Sequence, residues 1–152
     1  MNLRFRPLSP ADLPALTDLW VDIWRDTIPS IDFEARRPWF VERMGEHRAN
    51  GVDVVLAVDP AGDADILGYV TVDRRNGHID QLGVAKAAMR RGVARALLAE
   101  ARRLSPQGLH LEVNEHNPRA VRLYESEGFV PTGRGVSPRS GLPLLHYRWT
   151  PG

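Results

Sequence analysis

Two rhythms of apolar and polar positions run through the chain. Leu13, Leu16, Leu19, Trp20, Ile23 and Trp24 recur at three- and four-residue spacing and predict a helix reaching about Asp26. Ser9 is its expected N-cap, with Pro10 at the first helical position and Asp12 favourably near the positive end of the helix. Before it, Asn2 to Arg6 alternates Leu3 and Phe5 with polar neighbours and predicts a strand. After Pro29, the spacing of Phe33, Trp39, Phe40 and Met44 predicts a less regular helix over about Asp32–Ala49, broken at Pro38. Three antiparallel strands follow: Val52–Val58, Ile66–Val72 and His78–Val84, joined by the turns Asp59–Asp63 and Arg75-Asn76-Gly77.

Helical spacing returns at Val93, Leu97, Ala101 and Leu104, then Ser105–Gly108 breaks the chain and Leu109–Val113 predicts a strand. Asn117-Pro118 repeats the cap signature of Ser9-Pro10 and opens a helix carrying Ala120, Val121, Leu123 and Tyr124, closed by Gly128. Phe129 and Val130 predict a short strand, and Leu142–Trp149 the last one after a Gly/Pro/Ser-rich loop. The expected order is strand, two helices, three strands, helix, strand, helix, two strands.

With 152 residues the chain fits one domain over 1–152, and no second is expected. Twenty basic against 19 acidic residues give no global field that would imply nucleic acid or membrane, so any basic patch is local. The absence of cysteine removes disulfides, thiolate metal sites and a cysteine nucleophile, and is compatible with the cytoplasm, where the protein is expected. No apolar run approaches the ~20 residues of a membrane span, and the first residues lack the apolar core of a signal peptide.

Chemistry concentrates between Ile79 and Leu104, which reads as strand, turn and helix. The turn carries Arg90, Arg91, Gly92, Val93 and Ala94, placing small residues and two guanidinium groups where a helix begins. Such a start presents unpaired backbone N–H groups and the positive end of the peptide dipoles, and small side chains let a phosphate come close. Neither G-x-G-x-x-G nor G-x-x-x-x-G-K-S/T occurs, which weakens a nucleotide-binding reading.

Together with Asn114–Phe129, this loop resembles the acyl-CoA-binding motifs of the GCN5-related N-acetyltransferases, whose loop follows Gln/Arg-x-x-Gly-x-Gly/Ala and whose next helix carries an Asn and a Tyr. Gly92, Ala94, Asn117 and Tyr124 match, while Met89 stands where the family has Gln or Arg. The resemblance covers about the last half of the chain. It implies an α/β fold with a mixed sheet of about seven mostly antiparallel strands, splayed at its centre, and about four helices. It implies acetyl-CoA as cosubstrate, with Leu82, Gly83 and Val84 offering main-chain groups to the pantetheine and the amides of Arg90 to Arg95, Val93 among them, holding the pyrophosphate. The acceptor is then a small-molecule or peptide amine, with Trp24, Phe33, Trp39 and Phe40 bordering its pocket, and the protein a monomer or homodimer.

Acetyl transfer to an amine needs a base for the ammonium proton and an acid for the departing thiolate. Tyr124 stands where the family places its thiolate-protonating Tyr, seven residues after Asn117 and on the same helix face. For the base the resemblance leaves Asp80 and Glu112 open, and His78 joins them because its unperturbed pKa suits the task. His78 lies two residues before Asp80, so an unbroken strand would put both on one face. No histidine pair stands at i, i+4 with an acidic partner, and no metal site is expected. The competing reading is an acyl-CoA-binding sensor without transfer activity. Met89 leans that way; Tyr124 and the acidic strand residues lean against it.

Overall fold

The structure, a computed structural model, describes residues 3–152, without the side chains of 63 and 64; Asn2, the expected start of the first strand, lies outside it. The strands are β1 (Arg4–Pro7), β2 (Asp53–Asp59), β3 (Gly62–Val72), β4 (His78–Ile79), β5 (Leu82–Val84), β6 (Leu109–Asn114), β7 (Val130–Val136) and β8 (Pro143–Trp149). The α-helices are α1 (Leu13–Thr27), α2 (Arg37–Ala49), α3 (Val93–Leu104) and α4 (Pro118–Ser126). Two four-stranded sheets result, in the orders β1-β2-β3-β5 and β4-β6-β8-β7. All neighbours are antiparallel except β4 and β6. The expected mixed α/β architecture with four helices and a splayed centre is therefore present.

The splay has a local cause. His78–Val84 is not one strand: it breaks at Asp80-Gln81, because the Thr71 hydroxyl of β3 accepts hydrogen bonds from both Asp80 N–H and Gln81 N–H, each at 3.0 Å. The extra residue lifts the chain out of register, as in a β-bulge. Before the break, β4 pairs with β6, His78 opposite His110 and Ile79 opposite Leu111. After it, β5 pairs only with β3, so β5 and the far half of β6 diverge.

Both cores follow the predicted faces. Leu16, Trp20 and Val21 of α1 and Phe40 and Met44 of α2 bury against Val54, Leu56, Val58 and Tyr69 on one side of the β1-β2-β3-β5 sheet. Val93, Leu97, Leu98 and Ala101 of α3 are fully buried with Val70, Val72, Leu109 and Leu111. Each such Leu contributes about 1.5–3 kcal/mol relative to an exposed one. Ser9 N–H and Oγ both donate to Asp12 Oδ2, at 2.9 and 3.0 Å, closing a short 3-10 turn ahead of α1.

Two other boundaries differ from expectation. Pro38 lies in the first turn of α2, where a missing N–H costs nothing, so it opens the helix instead of breaking it. The short strand expected at Phe129 and Val130 is longer: β7 runs through Val136 despite two glycines and a proline, because β8 supplies its partner along the whole edge, with one register shift at Pro131/Gly133.

Candidate active site

Where β5 and β6 part, a cleft of about 1250 Å³ opens, walled by Leu82–Val84, the start of α3, residues 116–123 of α4 and its approach, and Ile23 and Asp26 of α1. β5 is a sheet edge. Ala85 N–H donates to Leu67 C=O and Gln81 C=O accepts from Thr71 N–H, so the alternation of the strand turns Gly83 toward β3 and Leu82 and Val84 outward to the cleft. Of the three expected pantetheine partners, Leu82 and Val84 thus have outward main-chain groups, whereas Gly83 has a steric role. A Cβ there would lie 2.7 Å from the Tyr69 ring and 2.9 Å from Ile23.

The floor of the cleft is the turn into α3. Gly92 has φ 81° in the left-handed region, and Arg90 adopts φ 66° two residues earlier. The first helical acceptor, Gly92 C=O, serves Ala96 N–H at 3.0 Å, so the amides of Val93, Ala94 and Arg95 point out of the helix end unpaired. A Cβ at Gly92 would meet nothing within 4 Å, which means its face is open space. Cations ring the opening. Arg90 and Arg122 have no carboxylate partner among the described residues, Lys86 pairs with Asp26, and Arg95 leans to Glu127 at 3.4 Å, whereas Arg91 is not part of the lining. Met89 N–H donates to Lys86 C=O within the loop, and its sulfur lies against the guanidinium of Arg119 on α4. These unpaired amides and cations suit a diphosphate.

Asn117 and Tyr124 both belong to α4 and its cap, with different duties. Asn117 Oδ1 accepts from Ala120 N–H at 3.3 Å, so its side chain caps the helix at the cleft wall. The Tyr124 ring is buried edge-on to Phe129, with centroids 5.5 Å apart. Among the described residues its hydroxyl has no hydrogen-bond partner, and burial pushes its pKa well above the usual phenol value. It stays protonated at any physiological pH.

The three candidate bases make different contacts. His78, opposite Asp73, and Asp80, beside α2, lie on the same side of the sheet, and each engages a different element. Asp80 turns to α2, where Arg43 donates from Nη2 at 2.8 Å and Nε at 3.1 Å and His47 Nε2 lies at 2.9 Å. Burial alone would raise its pKa, but the hydrogen bonds from His47 and Arg43 outweigh it and hold the carboxyl below the usual range. A carboxylate so engaged is a poor proton acceptor. Neither Arg43 nor His47 was singled out in the sequence, since only the fold brings α2 over this strand.

His78 turns instead to β6. Its Nε2 lies 3.0 Å from Glu112 Oε1, and this hydrogen bond raises the pKa of His78 while lowering that of Glu112. His110, opposite His78 in the parallel pair, has its ring centroid 4.9 Å away, and burial followed by the neighbouring His78 lowers its pKa. Ligand atoms of His78, His110 and Glu112 lie within 4.8 Å of one another. The sequence reading sought metal ligands at helical spacing and missed this group, which adjacent strands assemble.

The aromatic candidates divide as well. Phe33 and Phe40 are core, Phe40 stacked on Trp20 at 4.7 Å. Trp24 stacks on Phe33, and Trp39, partly open, carries the Arg139 guanidinium over its ring at 4.1 Å. Among the described residues, no helix is long and apolar enough to cross a membrane.

A split mixed sheet with a helix start facing the split suits a protein that grips an acyl-coenzyme. The family model described as acetyltransferase (GNAT) domain matches residues 42–151, and the chain belongs to that family. It is accordingly an acyl-CoA-dependent N-acetyltransferase that moves an acetyl group to an amine. The chain is 26% identical over 156 aligned positions to the peptidyl-lysine N-acetyltransferase YiaC of Escherichia coli, covering 95% of this chain and 94% of that one. It is 34% identical to the mycothiol acetyltransferase of Jonesia denitrificans over 88% of its own length but only 44% of the relative's. The PaiA N-acetyltransferase of Thermoplasma acidophilum, solved in complex with coenzyme A, shares the fold with a TM-score of 0.75 at 17% identity, covering 99% of this chain and all of that one.

Proposed function

We propose that residues 1–152 act as a single N-acetyltransferase domain that binds acetyl-CoA in the β5/β6 cleft and transfers its acetyl group directly to a primary amine of a peptide or small molecule. The observation that carries this reading is the left-handed Gly92 opening α3, with unpaired amides and free guanidinium groups facing the split. The unpaired amides of Val93 to Arg95 take the pyrophosphate, Arg90 adds charge-assisted contacts, and the outward groups of Leu82 and Val84 pair with the pantetheine. Its likeness to a peptidyl-lysine N-acetyltransferase supports an amine acceptor. The cysteine-free composition suits a reducing cytoplasm, and neither membrane nor nucleic acid is needed.

In the transfer, the His78–Glu112 pair takes the proton of the acceptor ammonium. Glu112 stays ionised and holds His78 by Nε2, and this hydrogen bond raises the basicity of the imidazole. The neutral amine attacks the thioester carbonyl, the tetrahedral intermediate collapses with cleavage of the C–S bond as the Tyr124 hydroxyl gives its proton to the departing thiolate, and the second amine proton leaves the new amide nitrogen and restores the Tyr124 hydroxyl. Asp80 positions α2 through Arg43 and His47 and stays ionised throughout. Incubation with acetyl-CoA and a panel of lysine peptides and small amines, read as free thiol, tests the assignment. Tight coenzyme binding with no turnover on any of them would favour a sensor.

A further inference from the structure

We infer that His78, His110 and Glu112 form a binding site for a zinc-like divalent cation on the exposed face of the β4-β6 ladder. Their placement follows from backbone register and does not depend on a flexible loop. His78 and His110 are partners in the parallel pair, and Glu112 follows His110 by two residues, so all three side chains leave the same face of the sheet. Zinc held by two imidazoles and a carboxylate, with bonds of about 2.0–2.2 Å in a tetrahedral arrangement, sets donor atoms about 3.3 Å apart. The His78 Nε2 and Glu112 Oε1 atoms stand at 3.0 Å, close to that spacing, and no two of the three ligand atoms are more than 4.8 Å apart. Closing the wider gap takes a side-chain rotation of roughly 1.5 Å at the donor atom, which partly exposed histidines accommodate.

The donor set selects the metal class. Two nitrogens and one oxygen, without thiolate, suit zinc and its neighbours in the first transition row and disfavour magnesium and calcium, which take oxygen shells. Three protein ligands leave the fourth position to water.

The consequence for turnover rests on the assignment of the His78–Glu112 pair as proton acceptor. A cation there occupies the His78 nitrogen and the Glu112 oxygen that the pair would use, so it blocks proton uptake and inhibits transfer reversibly. His110 contributes only to the metal, which makes it the informative position.

Titration calorimetry with zinc at pH 7.5, and the visible spectrum with cobalt in its place, are read on the parent and on His110→Gln, a substitution that keeps a polar side chain of similar length in the strand. The parent binds one equivalent and gives the intense absorption of tetrahedral cobalt; His110→Gln binds at least tenfold more weakly and loses that absorption. His116→Ala, outside the cluster, leaves both unchanged. Parent turnover falls on adding zinc and returns with chelator, while His110→Gln turns over normally without metal and resists zinc by the same factor. Absence of zinc binding to the parent, or binding indifferent to His110→Gln, overturns the site. Binding that depends on His110 but leaves parent turnover untouched keeps the site and removes the pair from the proton transfer.

Discussion

Replacing Gly92 tests the cradle most directly, because the structure separates what the substitution does to the protein from what it does to the ligand. At φ 81° any side chain pays for the left-handed conformation, about 1–2 kcal/mol for an L-residue and more for a β-branched one. Nothing else in the chain resists, since a Cβ at this position meets no atom within 4 Å. Gly92→Val should therefore fold, with a melting temperature lower by roughly 2–4 °C per kcal/mol for a chain of this size. The new methyl groups enter the space the phosphate must occupy. Losing one backbone N–H bond to a charged group costs about 1.5–3 kcal/mol, so acetyl-CoA binding should weaken by roughly ten- to 150-fold. Gly92→Asn separates the two effects: Asn tolerates the left-handed region, so stability is nearly retained while the side chain still crowds the phosphate. Calorimetry with acetyl-CoA on thermally checked variants is the assay. A folded Gly92→Val variant with parental affinity would show that the pyrophosphate lies elsewhere.

Three further outcomes are expected. Tyr124→Phe keeps the buried ring and its contact with Phe129 but removes the proton donor, so kcat should fall about 10²- to 10⁴-fold with acetyl-CoA affinity nearly unchanged; turnover within threefold of the parent would leave Tyr124 a packing residue. Met89→Gln should tighten acetyl-CoA modestly by adding a phosphate donor, whereas a tenfold loss in calorimetry would show that the packing of Met89 against Arg119 holds the loop in shape. The rate should rise with pH as the His78–Glu112 pair loses its proton. Glu112 raises the pKa of His78, so Glu112→Gln should move the acid limb of kcat/KM to lower pH while lowering the plateau; a limb that stays in place would assign it to another group.

Much of this was legible in one dimension because local signals coincide with the fold. Gly92, the Asn117-Pro118 cap and the face of Leu97 and Ala101 each state their role through backbone conformation or periodicity, and the structure places them accordingly. The strand His78–Val84 misled because its apolar alternation is continuous: the break comes from the Thr71 hydroxyl on another strand. Asp80 misled for the same reason, since its partners Arg43 and His47 stand 37 and 33 residues earlier. β7 was read as a short strand starting at Phe129 and Val130, because Gly and Pro depress strand propensity beyond it, and only the pairing with β8 carries it on to Val136. The Phe33 and Phe40 rings were read as pocket, yet one stacking partner each, Trp24 and Trp20, draws them into the core.

The break at Asp80-Gln81 joins these separate findings into one device. A regular strand from His78 to Val84 would have stayed beside β6 throughout, closing the cleft and leaving β5 no free edge for a ligand. The bulge instead lets the N-terminal half deliver His78 to Glu112 on β6, while Asp80 turns under α2 to Arg43 and His47. One misplaced residue, held by a threonine hydroxyl, therefore opens the slot along one face of the sheet and divides two ionisable groups between different tasks. The low-pKa carboxylate secures a helix; the histidine, made more basic by Glu112, is left to accept a proton from an amine.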